Sequence, residues 1–296
     1  MPKISVVVTA INGFPELNRC LKALANQRGA PDAEVIVVGS ALNGLVEYVT
    51  VNFPGVKVIS REERVTIPEL RATGMSRAAG EIVAITEDRC VPAENWLKAI
   101  DKAHQSEYEV VGGAVEPDDI EGILNWAVYL CEYSSLMLPV PEGEVAGVAG
   151  NNSSYRREAL NRVSEKIKNN YWESFLHEEL RRNGVKILFT PWMLVSKNID
   201  FTLSYFLGQR FHYSRSFAGM RGERATMLQR LIYAAMTPGL PLLMTLRIAR
   251  QVFQKRRRRK EFLLSLPLLA AFMASYAAGE FVGYLSGPGR SLLKVE

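Results

Sequence analysis

Hydrophobic positions follow two rhythms in the first third of the chain. Short apolar runs at 4–9 (ISVVVT), 34–38 (EVIVV), 56–59 (VKVI) and 81–86 (EIVAIT) are rich in β-branched residues and bounded by Gly, Pro, Asn and Ser. That is the pattern of buried strands. Between them, residues 15–27 place Leu17, Cys20, Leu21 and Leu24 at helical spacing. Residues 68–79 read as another helix, with Pro68 in the first turn, where a missing N–H costs nothing. Strands alternating with helices predict parallel βαβ units with right-handed crossovers, hence an α/β fold with a mostly parallel central sheet. Ligands of such sheets sit outside the carboxyl ends of the strands. The turns "AINGF", "GSALNG" and "TEDRC" fall at those ends and are expected to converge on one crevice.

After about residue 110 the rhythm changes. "VVGGAVEP" reads as a strand with two glycines, residues 119–137 as an aromatic-rich helix, and "VPEGEVAGVAGNNSSYRREAL" as a long glycine-rich loop that enters strand and helix. A helix over 171–183 and a strand "VKILFT" ending at Pro191 follow. The last seventy or so residues differ again. Residues 231–246 carry no charge but contain Pro238, Gly239 and Pro241. At about 1.5 Å per residue they span roughly 24 Å, short of a bilayer's ~30 Å core. Residues 262–285 contain one charge, Glu280, and are long enough to span.

Composition sharpens this in three places. At 48% hydrophobic and 23% charged residues, the chain is a folded one. Cys20, Cys90 and Cys131 and the histidines 104, 177 and 212 lie in no metal-like or disulfide-framework spacing, so a zinc site is not expected and a reducing compartment is. The net charge of +5 comes from one run, Lys255–Lys260, without whose six positives it falls to −1. Flanked by two apolar segments, that run suits anionic lipid and the cytoplasmic membrane face rather than nucleic acid. "MPKISVVVTA" reads as a first strand, not a secretory leader. The broken first segment is therefore expected to be re-entrant or interfacial, which leaves the N-terminal part cytoplasmic.

Two stretches carry acid–base chemistry. Glu87, Asp88 and Arg89 stand in succession at the end of an apolar strand. "NNYWESFLHEELRRNG" offers Glu173, Glu178 and Glu179 on a helix whose stripe is Trp172, Phe175, Leu176 and Leu180. Glu173 and Glu179 border the stripe. Glu173 lies in the first turn, the end that would open on the crevice, which makes it the first candidate for a general base and Glu179 the second.

"SVVVTAINGFPELNRCLKALANQ", "EVIVVGS", "ELRATGMSRAAGEIVAITEDRCVP" and "GNNSSYRREAL", in that order and spacing, resemble family 2 glycosyltransferases of the GT-A fold over roughly residues 3–215. The resemblance implies inverting transfer from a nucleotide-sugar by single displacement. It implies that Thr9, Ala10 and Asn12 cradle the nucleoside and that Arg71 lies below the diphosphate. It further implies that Glu87 and Asp88 hold a divalent cation, Mg²⁺ or Mn²⁺, that Glu173 is the base, and that Asn151 and Asn152 lie near donor sugar and acceptor. Gln209, Arg210 and Arg215 match the stretch that closes over the diphosphate; an interfacial helix fits them equally. The chain departs from the pattern where Gly39 and Ser40 replace the acids that contact the base. It departs again at Arg89, which replaces an acid of the triplet and so assists a metal, stabilises the diphosphate itself, or only pairs with its neighbours.

The expected organisation is a GT-A-like domain, 1–225, and a membrane-attachment region, 226–296. The domain would transfer a sugar to a membrane-proximal, lipid-linked or other glycan acceptor. The rivals are a degenerate binding or scaffold protein, which Gly39, Ser40 and Arg89 favour, and a nucleotidyltransferase, against which "TAINGFPE" lacks a lysine-bearing phosphate loop.

Overall fold

The computed structural model describes residues 1–295. Along the chain the strands and helices are β1 (Ile4–Ala10), α1 (Phe14–Ala25), β2 (Ala33–Ser40), α2 (Leu45–Asn52), β3 (Lys57–Arg61), α3 (Ile67–Arg77), β4 (Ile82–Glu87), β5 (Cys90–Pro92), α4 (Trp96–Ala103), β6 (Val110–Pro117), α5 (Gly122–Tyr133), β7 (Gly143–Glu144), β8 (Ser153–Arg156), α6 (Arg157–Arg162), α7 (Ser164–Lys168), α8 (Glu173–Arg182), β9 (Ile187–Lys197), α9 (Leu203–Gly222), α10 (Met227–Met236), α11 (Leu240–Lys255) and α12 (Arg259–Ser286). They form two compact units. The first comprises residues 1–116 and 136–198; the second comprises 117–135 and the chain from Ile199 onward.

The first unit is built on one sheet in the order β3-β2-β1-β4-β8-β6-β9-β5, with β7 on β9. The half formed by β3, β2, β1 and β4 is parallel, as the strand–helix alternation predicts. From β4 onward the β4–β8, β8–β6, β9–β5 and β9–β7 ladders are antiparallel, so the sheet is mixed. Central β1 is buried along its whole length, the burial expected of a near-continuous apolar run covered on both faces. Helix α1 buries Leu17, Cys20, Leu21 and Leu24. Helix α3 starts where Thr66 accepts a hydrogen bond from the Glu69 N–H (3.2 Å), just before Pro68.

Helices α2 and α4 and the short α7 escape the sequence reading, and β9 runs past the expected stop at Pro191. The proline breaks no β5 or β7 pairing. It falls between Leu188 and Phe189, which pair with β7, and Val195–Lys197, which pair with β5.

The second unit divides from the first elsewhere than at the expected 225/226 boundary. Helices α5 and α9, which the sequence reading assigns to the catalytic domain, pack with the apolar C-terminal helices. The α9–α12 seam is close because small residues line it. A Cβ on Gly279 would lie 2.2 Å from the Phe211 carbonyl oxygen and one on Gly283 2.6 Å from that of Arg215. Phe206 and Phe272 meet edge to face at 4.6 Å in the same seam.

The first apolar segment is also longer than expected. Helical structure runs over 29 residues from Met227 to Lys255, mean hydropathy 1.4, and α12 adds 28 residues at 1.7. Pro238 and Pro241 do not interrupt the run. They occupy the first turns of a short 3₁₀ segment (Thr237–Gly239) and of α11, where no N–H is needed. At ~1.5 Å per residue each run reaches roughly 42 Å or more, beyond a ~30 Å hydrocarbon core. Leu228, Met236 and Leu242 are 68%, 66% and 68% exposed, so this apolar surface is not covered within the unit.

Replacing Gly279 with alanine should force α9 and α12 apart. The expected outcome is a loss of about 1–3 kcal/mol of stability, read as a lower melting temperature in detergent, with the first unit's circular-dichroism signature retained.

Candidate active site

The registers of the parallel half bring the three expected turns together. Thr9 lies opposite Glu87 and Ala10 opposite Gly39, so the ends of β1, β2 and β4 are level. One residue beyond β4, the Asp88 N–H donates to the Thr9 carbonyl (2.9 Å). The Asp88 carboxylate is buried and filled. Oδ2 accepts from the backbone N–H groups of Ile11 (2.8 Å) and Asn12 (2.7 Å), and Oδ1 accepts from the Asn12 side-chain amide (2.7 Å). Burial pushes its pKa up, while these hydrogen bonds and Arg89 pull the other way. Asp88 and Asn12 therefore shape the β1–α1 loop, and the Asn12 side chain is spent on Asp88.

Glu87 is paired with a residue that sequence reading missed. The Lys197 ammonium contacts the Glu87 carboxylate, and the Asn151 amide donates to the same oxygen, Oε1, at 3.5 Å. Lys197 ends β9 opposite Cys90, and the Asn198 N–H donates to the Arg89 carbonyl (2.9 Å), which fixes the lysine beside the triplet. Burial, with Arg71 adding to it, brings the Lys197 pKa down to about 7; the carboxylate in contact opposes this. Its signal in the sequence is the alternation Met193, Val195, Lys197, which puts a charge on a buried strand face.

Arg71, on the second turn of α3, and Glu173, the first residue of α8, meet at 2.9 Å (Nη1–Oε2) with side chains 12% and 22% exposed. Gly150 makes this approach possible, because a Cβ there would stand 2.3 Å from Arg71 Nη1 and 2.8 Å from Glu173 Cδ. Pro68, Tyr155 and Tyr171 line a small cavity at the pair. The other acids of α8 are occupied outside it: Glu178 pairs with Arg182, and Glu179 lies 3.6 Å from Lys166.

Other expected residues are engaged elsewhere. Gly39 is a packing position, since a Cβ would overlap Leu45 of α2. Ser40 donates to the Glu63 carbonyl (3.0 Å) and accepts from the Val65 N–H (2.9 Å), which pins the β3–α3 turn. Asn152 faces inward: Oδ1 accepts from Trp96 Nε1 (2.9 Å), and Nδ2 donates to the Ala114 (2.9 Å) and Met193 (2.8 Å) carbonyls. Of the asparagine pair, only Asn151 reaches the acids. Arg210 and Arg215 belong to the second unit. Arg210 is buried there, 3.4 Å from Glu132 and 4.8 Å from the Tyr276 ring, and Arg215 donates to the Gly287 carbonyl. Both guanidinium groups are thus engaged in holding α9 to its neighbours.

The donor set does not fit a divalent cation as arranged. Asp88 has both oxygens committed to N–H donors, Glu87 is committed to Lys197, and the third place of the triplet is Arg89. Among the described residues, no three His, Cys, Asp or Glu side chains are grouped to hold a metal ion.

This fold is that of the GT-A glycosyltransferases, with strand-end acids and a helix-borne carboxylate around one corner. The chain belongs to glycosyl transferase family 2, whose profile matches residues 5–164. Among curated relatives it is 23% identical over 122 residues to glycosyltransferase AglE of Haloferax volcanii, a match covering 39% of this chain and 40% of that one. It thus spans well under half of that relative. Among solved structures, the mannosyltransferase PcManGT from Pyrobaculum calidifontis, in complex with GDP-Man and Mn²⁺, superposes with a TM-score of 0.60 over 94% of this chain and 87% of that one, at 16% identity. GalNAc-T7 with UDP, GalNAc and Mn²⁺ gives a TM-score of 0.52 over 68% of this chain and 44% of that one, also at 16% identity.

Two buried histidines support this unit. His177 shares a 2.8 Å hydrogen bond with the Tyr155 hydroxyl, and His104 a 2.9 Å bond with Ser154. Burial lowers both pKa values from 6.5 to about 4, so the folded state holds them neutral. Between those values the unfolded chain binds more protons, and stability is lost as pH falls from about 6.5 towards 4. Thermal melts across that range should drop by an amount equivalent to about 3 kcal/mol per histidine at full expression, and His177→Gln should flatten the profile.

Proposed function

We propose that the chain is an inverting glycosyltransferase that moves a sugar from a nucleoside-diphosphate sugar to a membrane-proximal, lipid-linked acceptor. The observation that carries this reading is the Glu173–Arg71 pair beside the level ends of β1, β2 and β4. It joins the one α8 carboxylate not committed to a neighbouring helix-surface cation to an arginine suited to a diphosphate.

In this reading Glu173 takes the proton of the acceptor hydroxyl as that oxygen attacks the anomeric carbon. The bond from that carbon to the diphosphate oxygen breaks, and the nucleoside diphosphate leaves with the electron pair. Attack from the opposite face inverts the centre. Arg71 is released from Glu173 to the diphosphate as the donor arrives, and the carboxylate is freed for the acceptor. Asn151 is the amide placed to contact the donor sugar, and backbone around Thr9 and Ala10 supports the nucleoside. The Mn²⁺ of the two solved neighbours supports a divalent cation in such sites generally; the side chains of this corner do not form a ligand set for one.

The second unit supports the acceptor class by proximity. Its two long apolar helices suit insertion in a bilayer. The turn between them exposes Arg256, Arg259 and Lys260 towards anionic headgroups. Not all of the basic run is free for lipid. Lys255 donates to the Ser134 and Ser135 carbonyls (both 2.8 Å), and Arg258 lies 4.4 Å over Trp126. The positive-inside tendency assigns this turn to the cytoplasmic face. The catalytic unit shares that face in this reading because the two apolar helices enter as a re-entrant or interfacial pair rather than each crossing the bilayer.

A panel of nucleotide-sugars, supplied with membrane lipid extract as acceptor, tests the activity. Glu173→Gln should lower turnover at least ~100-fold while donor binding stays within a few-fold; near-normal turnover in a folded variant would sink the assignment. Replacing Arg256, Arg259 and Lys260 with glutamine should weaken co-flotation with anionic vesicles and leave flotation with neutral ones unchanged. Protease cleavage at this turn only from the outer face of sealed vesicles would reverse the sidedness.

A further inference from the structure

Lys197 is a buried charged group of the site that takes no part in the proton and bond changes above. We propose that Lys197 supplies the positive charge that meets the donor's diphosphate, in the place of a divalent metal ion, with Glu87 anchoring the lysine rather than ligating a metal. The inference rests on the donor-binding reading of the site.

Position is the first support. The β5–β9 pairing sets Lys197 opposite Cys90, three residues after Glu87, and the Asn198–Arg89 backbone hydrogen bond holds that register. The ammonium therefore stands where the strand-end acids stand, carried by a strand rather than a loop. The second support is the state of those acids. Asp88 is filled by three N–H donors, and Glu87 Oε1 receives both Lys197 and Asn151. A metal would have to displace a built-in cation and break the hydrogen bonds that shape the β1–α1 loop. The third support is the balance of charge. Lys197 contacts Glu87, Arg71 pairs with Glu173 and Arg89 acts electrostatically on Asp88, so each acid of the corner already has a cation without a metal.

Energetics point the same way. A buried lysine–glutamate pair rarely stabilises a fold better than apolar side chains of similar volume. Lys197 occupies a buried position of β9 that an apolar residue would fill, so a functional use explains what packing does not. An ammonium has three donors. Glu87 takes one of them, and in this reading a non-bridging oxygen of the diphosphate takes another.

The experiment uses the full chain in detergent and calorimetry with UDP, GDP, ADP and CDP, each in EDTA and in Mn²⁺. The expected result is that the preferred diphosphate binds in EDTA with a Kd within about threefold of that in Mn²⁺. Lys197→Met should weaken it about 10- to 100-fold, the loss of one charge-assisted contact, and Lys197→Arg should recover most of the affinity. Should Lys197→Met fail to fold, the EDTA and Mn²⁺ arms on the unaltered chain decide. Binding abolished by EDTA and restored by Mn²⁺ overturns the inference and leaves the glycosyltransferase reading intact. So does unchanged binding by a folded Lys197→Met. Binding of none of the four with or without Mn²⁺ overturns both.

Discussion

The Asp88 carboxylate, held by two backbone N–H groups and one side-chain amide, is the contact on which the site depends. It joins the end of β4 to the loop after β1, two segments far apart in sequence. Each such bond to a charged acceptor contributes about 1.5–3 kcal/mol, enough together to offset much of the cost of taking the group out of water. With that loop fixed, Thr9, Ala10 and Gly39 lie level. Glu87 is then aimed out of the sheet, where Lys197 and Asn151 reach it.

Around this clamp the corner is a set of charges already paired. Its acids meet cations supplied by three different elements: Lys197 on β9, Arg71 on α3 and Arg89 just after β4. Holding charges on rigid elements keeps the cost of reorganisation low when a polyanion arrives, which is the condition under which electrostatics favours reaction. Gly150 belongs to the same design. Its missing side chain lets Glu173 and Arg71 approach closely while both stay largely buried.

Much of this was legible because strands and helices declare themselves by period. The β-branched runs at β1, β2 and β4 and the stripe of α1 are long-range packing written as local pattern. The strand-end turns followed from the topology those runs imply. Other features had no local signature. Glu87, Asp88 and Glu173 were found by type and place, but the partners that define their chemistry lie far along the chain. Lys197 reads as an ordinary polar residue until the alternation of β9 turns it inward. Asn152 carries the same letter as Asn151, yet the next position of a strand entry faces the opposite way and finds Trp96. Helix α2 is short and weakly amphipathic, and its place depends on Leu45 packing over Gly39. The prolines of the first apolar run were read as breaks because their position within a helical turn is invisible without the turn itself.

The division of the chain has a further consequence. Helix α5 is inserted between β6 and β7, yet it packs on α12 and its Glu132 meets Arg210 of α9, and both of those helices come after the last strand. The two units are interleaved rather than strung end to end. A stop anywhere between 198 and 258 would therefore not yield a clean catalytic fragment, since it would leave α5 without α12. The same holds in time. On a ribosome α5 emerges well before α12, so the strands of the first unit can pair while α5 still waits for the apolar helix that covers it.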